Sequence, residues 1–430
     1  MSPGDAGDGD EHAELQRRTL VTLRLAQVPA QAGVAASVAV VTLLAGDVLG
    51  SDRWAGLGGA AFTIGSALTA VPLALAMRHH GRRPALATAF GVASIGAAVA
   101  ATGGQLRWFP VLVVGLMLFG AAQAASLQQR YVAADLAPAR QQARAIAAIV
   151  WVGTLGAVAG PVLTPVAKDV GRSLGLDELI GPYLMGIVLS AVAGVVILIR
   201  LRPDPLVVAG GVDPAAERIH PLHQVRTSYG VIRRSPGAIL GLAAMAGSQA
   251  AMVAVMTMTP PHMKDHGHAD LSAFVIAVHI VGMYGLAPVV GRLVVRVGAI
   301  RAIQLGAVVL ATGTVSAVVA GYVPALMFAG LFLLGLGWNI GLIGGTTLLT
   351  TSVPPEARVE AQGTGDLTMS LCGAAAAFTS GFVKASFGFH VLADGATALA
   401  ALLLVAAWIA AARRRAPTEV AVSADASTAR

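Results

Sequence analysis

The chain has 430 residues, of which 56% are hydrophobic and only 12% are charged, whereas about 25% of the residues of a soluble domain are charged. This composition excludes an ordinary soluble protein and predicts an all-α protein in a lipid bilayer. The net charge of +7 is explained below by orientation in the membrane and needs no nucleic-acid partner. Cys372 is the one cysteine, which excludes an internal disulfide and a cysteine-based metal cluster.

Twelve stretches are apolar and long enough to span a bilayer, for which a helix needs roughly 20 residues. They cover residues 25–46, 54–77, 84–102, 108–129, 145–167, 181–200, 237–259, 271–295, 300–320, 323–348, 364–384 and 391–412. We therefore expect an acidic tail over 1–20, a first six-helix bundle over 21–200, a linker over 201–236, a second six-helix bundle over 237–412 and a basic and polar tail over 413–430.

The Lys and Arg residues predict the orientation. Most of the 29 fall in the tails and in alternate loops on the same side, and such loops are cytoplasmic in membrane proteins. Both termini are therefore expected in the cytoplasm. The first 16 residues lack the basic start of a signal peptide, so we expect an uncleaved first helix.

Two similar turns indicate an internal duplication. The turn after the second span contains Gly81, Arg82 and Arg83, and the turn after the eighth contains Arg296 and Gly298. Gly81 and Gly298 are 217 residues apart, which is close to half the chain and favours a repeated six-helix unit.

From about residue 20 to 412 the chain resembles the major facilitator superfamily, whose turn after the second helix reads Gly-x-x-x-Asp-Arg-x-Gly-Arg-Arg. Gly81, Arg82 and Arg83 match, whereas Ala74 and Arg78 replace the first Gly and the Asp. The second copy keeps Gly291, Arg296 and Gly298 but has Val295 at the Asp position. The resemblance implies that the matching residues act in gating, and orientation signalling alone is the alternative interpretation.

The fifth span contains Gly156, Gly160 and Pro161, similar to the Gly-x-x-x-Gly-Pro motif of the superfamily's drug antiporters. Where that motif continues with two more glycines, this chain has Thr164 and Pro165. Small residues four apart let helices approach closely, and proline bends a helix. Close packing and a kink are the simpler interpretation of this motif.

Residues 252–283 hold five Met and four His. Met252 and Met256 are four residues apart, as are His279 and Met283, so each pair shares one face of a helix. His279 is the one ionisable side chain predicted well inside the bilayer, with Asp366 placed near its inner edge, and ionisable groups in the membrane mark functional sites. Neutral polar side chains inside the spans include Gln27, Gln31, Gln123 and Gln249.

Thioethers and a neutral imidazole are ligands that select monovalent copper, whereas hard cations prefer oxygen. Met252, Met256, His279 and Met283 are therefore the predicted metal site. The following outer loop is either a place that collects metal before transport or a solvated turn. Its candidate ligands are Met258, His262, Met263, His266 and His268.

Met-x-x-x-Met in the seventh span and His-x-x-x-Met in the eighth resemble the bacterial CcoA-like copper importers. The resemblance implies import of copper, expected as Cu(I), by alternating access across the plasma (inner) membrane of a bacterium. Copper is then the substrate, no cofactor is expected, and the chain is expected to be a monomer whose other partner is the bilayer.

Two other functions stay open. The first is a drug or small organic solute carrier of the proton-coupled antiporter type, and the second is a membrane sensor that binds metal without transporting it. The sequence shows no intramembrane catalytic dyad, no paired carboxylates and no metalloprotease signature, so an enzyme is not expected.

Overall fold

The computed structural model describes residues 3–50, 56–213, 220–267, 271–320 and 323–415. Within these ranges ten helices are long and apolar enough to span a membrane, or eleven if a helix pair bent by 42° is one span. The predicted all-α membrane protein is confirmed. Large apolar side chains that face outward, such as Val162, Phe378 and Leu402, are compatible with contact to lipid acyl chains.

Six long helices form the first half of the chain, and two short helices lie in the linker. They are α1 (Pro3–Leu49), α2 (Gly56–His80), α3 (Arg82–Gln105), α4 (Phe109–Asp135), α5 (Gln142–Ser173), α6 (Gly181–Arg200), α7 (Pro205–Val208) and α8 (Pro221–Arg234).

The second half repeats this plan with one broken helix. It contains α9 (Pro236–Asp265), α10 (Ser272–Ile280), a π-helical turn (Val281–Gly285), α11 (Ala287–Val297), α12 (Ala299–Ala320), α13 (Pro324–Thr351) and α14 (Arg358–Arg415). A short 3-10 turn precedes α6, and another precedes α14.

Three glycines mark sharp changes of direction. Gly81 (φ 92°) joins α2 to α3, Gly298 (φ 84°) joins α11 to α12, and Gly388 (φ 88°) interrupts α14. Glycine adopts positive φ without steric cost, which other residues rarely do. The two turns that the sequence aligns therefore share a backbone conformation, and α14 contains a junction of the same kind.

The helices pack into two bundles, α1–α6 and α9–α14. Within the first bundle, α5 crosses α1 at close range, because a β-carbon on Gly156 would lie 2.4 Å from the Val28 carbonyl oxygen. A β-carbon on Gly160 would lie 2.6 Å from the Ala32 carbonyl oxygen. The motif of the fifth span thus forms a packing seam, and α5 continues through Pro161 as one helix.

The linker is fastened to the end of the molecule that carries the Gly81 turn, which the basic loops predict to be cytoplasmic; we name it the inner end. Asp204 accepts hydrogen bonds from the backbone N–H groups of Arg83 (2.7 Å) and Leu206 (2.9 Å). A β-carbon on Gly81 would lie 2.5 Å from Asp204 Oδ2. Gly81 is therefore needed both for its positive φ and for the approach of Asp204.

Candidate substrate cavity

A cavity of about 460 Å³ lies between the two bundles. Its walls come from α1, α2, α4 and α5 on one side and from α9, the π-helical turn, α13 and α14 on the other. Four glutamines, three aromatic residues and four methionines contribute to the lining. They are Gln27, Gln31, Gln123, Gln249, Phe62, Tyr284, Trp338, Met252, Met256, Met283 and Met369.

The aromatic side chains of the second bundle are held in place by neighbouring groups. Trp338 donates its indole N–H to Gln249 Oε1 at 2.6 Å. Its ring meets that of Tyr284 edge to face, with centroids 5.6 Å apart. This wall of the cavity therefore presents an ordered aromatic surface beside an amide.

Arg130 is the one charged residue among the described residues that line the cavity. Its guanidinium donates to Asp366 and Tyr131, and also to Thr346 Oγ1 at 3.3 Å and to the Leu127 carbonyl at 2.9 Å. Arg130 and Asp366 are both almost fully buried and belong to opposite bundles. The negative charge of Asp366 thus offsets the positive charge of Arg130, so the cavity wall is close to neutral.

Two further contacts close the inner end below Arg130. Arg82, which is fully buried, forms a two-point ion pair with Asp135 (2.9 and 3.0 Å). It also donates to Gln362 of the opposite bundle at 3.0 Å. Arg78 pairs with Glu360, likewise across the bundles. We call the contacts of Arg78, Arg82 and Arg130 with α14 the inner gate.

The inner gate explains how this chain departs from the superfamily's turn motif. Arg78 stands where the family has an acidic residue, and its partner Glu360 supplies the acidic group from α14. Ala74, which replaces the motif's first glycine, lies at a crossing where a β-carbon on Gly363 would come within 2.4 Å of its Cβ. Orientation signalling alone is therefore an incomplete account of Arg78, Arg82 and Arg130.

The other predicted gating residues have varied positions. A β-carbon on Gly291 would lie 2.5 Å from Ala147 Cβ, so α11 and α5 of opposite bundles touch there. Arg296 is exposed, and Gly298 forms the turn to α12. Arg83 contacts the linker through its backbone N–H, which donates to Asp204.

Three of the four predicted metal ligands line the cavity, namely Met252, Met256 and Met283. His279 is fully buried but does not line it. Its Nδ1 lies 2.7 Å from the Leu331 carbonyl oxygen. Because a carbonyl only accepts hydrogen bonds, Nδ1 carries the proton. Its Nε2 has no hydrogen-bond partner among the described residues.

The break after His279 follows from close packing against α13. A β-carbon on Gly335 would lie 2.4 Å from the His279 carbonyl oxygen, and one on Gly282 would lie 2.3 Å from the Phe332 carbonyl oxygen. The helix widens here into its π-helical turn, a local feature that is frequent at functional sites. Met283 and Tyr284 reach the cavity from this turn.

The predicted outer loop is largely helical, since α9 extends to Asp265. The rings of His262 and His266 are 4.3 Å apart, and that of His262 stacks on Phe389 at 4.2 Å. Met258 is half-buried, Met263 is buried, and His268 lies outside the described residues. In the described ranges, no three His, Cys, Asp or Glu side chains are grouped so as to hold a metal.

Sequence reasoning found the four glutamines in the spans but missed the role of Arg130 and the burial of Asp366. Asp366 was expected near the edge of the bilayer, whereas it is 1% exposed and forms a cross-bundle ion pair. Its signal in the sequence is a lone carboxylate three residues into a predicted span, which needs a basic partner.

Two helical bundles around a central cavity, lined by apolar side chains with a few polar groups, are typical of a membrane carrier for solutes. The chain belongs to the Major Facilitator Superfamily, whose family model matches residues 25–377. The resemblance to this superfamily is thus confirmed.

The relatives extend over nearly the whole chain. The chain is 38% identical over 404 residues to the uncharacterized MFS-type transporter YdeG of Bacillus subtilis (strain 168), with 93% of each chain covered. It is 30% identical to the riboflavin transporter RfnT of Brucella anthropi, with 91% of this chain and 96% of that protein covered. The crystal structure of the human organic anion transporter MFSD10 has a similar fold (TM-score 0.74, 16% identity, 91% of this chain and 99% of that one covered).

Proposed function

We propose that this protein carries an uncharged, planar organic solute of the flavin class across the membrane. The observation that carries the proposal is the chemistry of the cavity, with four amide side chains, an ordered Trp338 and a single arginine neutralised by Asp366. The similarity to a riboflavin transporter supports the same class of solute. This favours the small organic solute alternative over copper import.

The size and charge of the cavity support this class. Its volume of about 460 Å³ lies within the range of about 300–1,000 Å³ typical of pockets for drug-sized ligands. Trp338 and Tyr284 can pack against an aromatic ring, and amides bind carbonyl and ring nitrogen atoms. Because Asp366 already neutralises Arg130, a phosphorylated flavin would have to bring uncompensated negative charge into the cavity, at a high desolvation cost.

We further propose twelve spans with both termini in the cytoplasm. Helix α14 (Arg358–Arg415) has 58 residues and at about 1.5 Å per residue is nearly three times as long as the hydrocarbon core is thick. Gly388 divides it into two lengths, each sufficient for one span. With α10 and α11 as one broken span, the two halves then have six spans each.

We propose that the carrier works by alternating access, which this architecture supports. The inner gate joins the bundles below the cavity, while the cavity extends from Arg130 towards Thr63 and Thr257. This arrangement corresponds to a carrier that is closed at its cytoplasmic side. Breaking the inner gate while the outer halves approach would release the solute inside, as in other transporters with repeated halves.

The test is uptake of labelled riboflavin by proteoliposomes that contain the purified full chain. We expect uptake above that of protein-free vesicles, with little uptake of the phosphorylated form, flavin mononucleotide. Replacing Trp338 with Leu should raise the KM about tenfold. The contact between the indole ring and the solute is lost, and so is the hydrogen bond that orients the Gln249 amide. Trp408→Leu, at an exposed position on α14, is the matched control, and absence of riboflavin uptake by the wild type would contradict the proposal.

Copper import is the second candidate, because the thioethers of Met252, Met256 and Met283 share the cavity. It requires that His279 contributes its unpartnered Nε2, which in this conformation does not line the cavity. Copper accumulation that is lost in Met256→Leu and His279→Leu but kept in Met327→Leu, at a buried site on α13 that does not line the cavity, would support this candidate. Equal accumulation by all variants would exclude it.

A further inference from the structure

Gln249 on α9 presents a fixed hydrogen-bond donor to the cavity. The indole N–H of Trp338 can only donate, so the atom it contacts at 2.6 Å is the amide oxygen of Gln249. The amide nitrogen therefore faces the other way, towards α14. There a β-carbon on Gly373 would lie 3.0 Å from Nε2, so the missing side chain of this glycine leaves the amide nitrogen uncovered.

Gln27 on α1 makes a similar contact on the opposite wall, although its partner is an amide and not a donor-only indole. Its Oε1 accepts a hydrogen bond from Gln129 Nε2 at 2.7 Å. Its Nε2 lies beside α5, where a β-carbon on Gly153 would be 3.3 Å away. Both Gln27 and Gly153 line the cavity. Within the described residues, neither Gln27 Nε2 nor Gln249 Nε2 has a hydrogen-bond partner in the protein.

The two glutamines and the two glycines occupy positions related by the internal repeat, whereas the residues that hold the amide oxygens, Gln129 and Trp338, are 209 residues apart and share only the helix. Gln27 and Gln249 are 222 residues apart, and Gly153 and Gly373 are 220 apart, close to the 217 that separate Gly81 from Gly298. The residues that hold the oxygens, Gln129 and Trp338, lie on α4 and α13, the fourth long helix of each half counted with the broken helix as one. Each bundle thus offers one oriented amide N–H₂ group to the shared cavity.

We propose that Gln27 and Gln249 form a paired donor site for a planar solute that carries hydrogen-bond acceptors on two different edges. This inference rests on the proposed function and specifies the chemistry of its solute. The isoalloxazine ring of a flavin meets the requirement, because one long edge holds a carbonyl oxygen and a ring nitrogen and the other long edge holds a second such pair. A solute of this kind bridges the two bundles, so its binding favours their approach on the side opposite the inner gate.

The experiment measures binding to the purified full chain by thermal shift and by quenching of tryptophan fluorescence. Riboflavin, lumiflavin and caffeine are the probes with acceptors on two edges, and benzamide is the probe with a single carbonyl. We expect the first group to bind, and we expect Gln27→Leu and Gln249→Leu each to weaken their binding about tenfold. The double variant should bind them no better than benzamide.

Gln249→Glu separates recognition from folding. It keeps an oxygen for the Trp338 indole N–H but replaces the amide nitrogen by a second oxygen, so the donor is lost when the carboxylate is ionised and the two-edge probes should bind about tenfold more weakly. The melting temperature of the unliganded variant shows whether the added charge affects folding. Failure of all two-edge probes to bind the wild type, or unchanged affinity in the variants, would overturn the paired donor site. Riboflavin uptake decides the proposed function separately, since uptake that is insensitive to both glutamines would leave a carrier without this site.

Discussion

Single side chains decide how charge is placed in this apolar protein. Arg130 is the clearest case, because it lines the cavity and also pairs with Asp366 of the other bundle. Taking one charge out of water is costly, and a buried pair is tolerated because each partner compensates the other. The same two residues therefore keep the cavity neutral and hold the inner gate.

Replacing Asp366 with Leu should destabilise the protein by about 3–5 kcal/mol, because it leaves the Arg130 charge buried without a partner. The double variant Arg130→Met and Asp366→Leu should recover much of this loss, since both charges are then removed. Thermal unfolding in detergent measures both effects. A double variant no more stable than Asp366→Leu alone would contradict the buried ion pair.

At the outer end, an exposed ion pair should have little influence on pH dependence. Lys384 donates to Asp265 at 2.6 Å, and this hydrogen bond lowers the pKa of the Asp265 carboxyl below its usual range. The pair is therefore present above the usual aspartate pKa of about 4 and is lost only as the pH falls through the lowered value. Asp265→Asn should leave the pH profile of riboflavin uptake unchanged between about pH 5 and 8. A displaced profile would assign Asp265 a role in coupling proton movement to solute transport.

At the scale of the helix, glycine determines how closely neighbouring elements pack. The Gly156 and Gly160 positions bring α5 against α1, and Gly335 brings the broken helix against α13. In a bilayer such close contacts contribute strongly to helix association, because lipid gives no hydrophobic driving force for helices to associate. The spacing in the sequence predicted the seam on α5, but its partner α1 became known only from the structure.

Gly156→Ala and Gly91→Ala are the same change with opposite expected results. A β-carbon at 156 would lie 2.4 Å from a backbone carbonyl of α1, so α5 and α1 must separate and the melting temperature should fall. Nothing lies within 4 Å of a β-carbon at 91 on α3, and alanine is the better helix former by about 1 kcal/mol. Gly91→Ala should therefore be neutral or stabilising, and equal melting temperatures for the two variants would contradict the packing seam.

For the whole molecule, the inner gate would set which side of the proposed alternating-access carrier is closed. Arg78–Glu360, Arg82–Gln362 and Arg130–Asp366 each join the first bundle to α14. Since these contacts must separate for release at the inner end, they stabilise the conformation seen here relative to the opposite one. Weakening them shifts the population towards a carrier that is open at the inner end.

Reversing the charges of one pair tests this shift. Arg78→Glu and Glu360→Arg each place like charges together, so each should lower the uptake of labelled riboflavin several-fold. The double variant should restore this uptake. Conformation can be followed by adding Thr257→Cys at the outer part of the cavity in a Cys372→Ser background, with a membrane-impermeant thiol reagent. Labelling from outside should fall in the single variants and return in the double one, and unchanged labelling throughout would show that Arg78 and Glu360 do not control access.

The sequence by itself determined the bilayer environment, the helical class and the glutamines inside the spans. These follow from composition and from spacing along the chain, which are local properties. Only the tertiary structure decided which of these side chains meet. Arg130 and Asp366 are 236 residues apart in the chain, and no local pattern pairs them.

The candidate site shows the same limit. The i, i+4 spacing placed Met252 with Met256 and His279 with Met283, yet spacing does not determine how a helix is rotated about its axis. The structure turns three thioethers to the cavity and directs His279 to the carbonyl of Leu331. Packing of the broken helix against Gly335 fixes that rotation. This packing depends on residues of two helices that are distant in the chain.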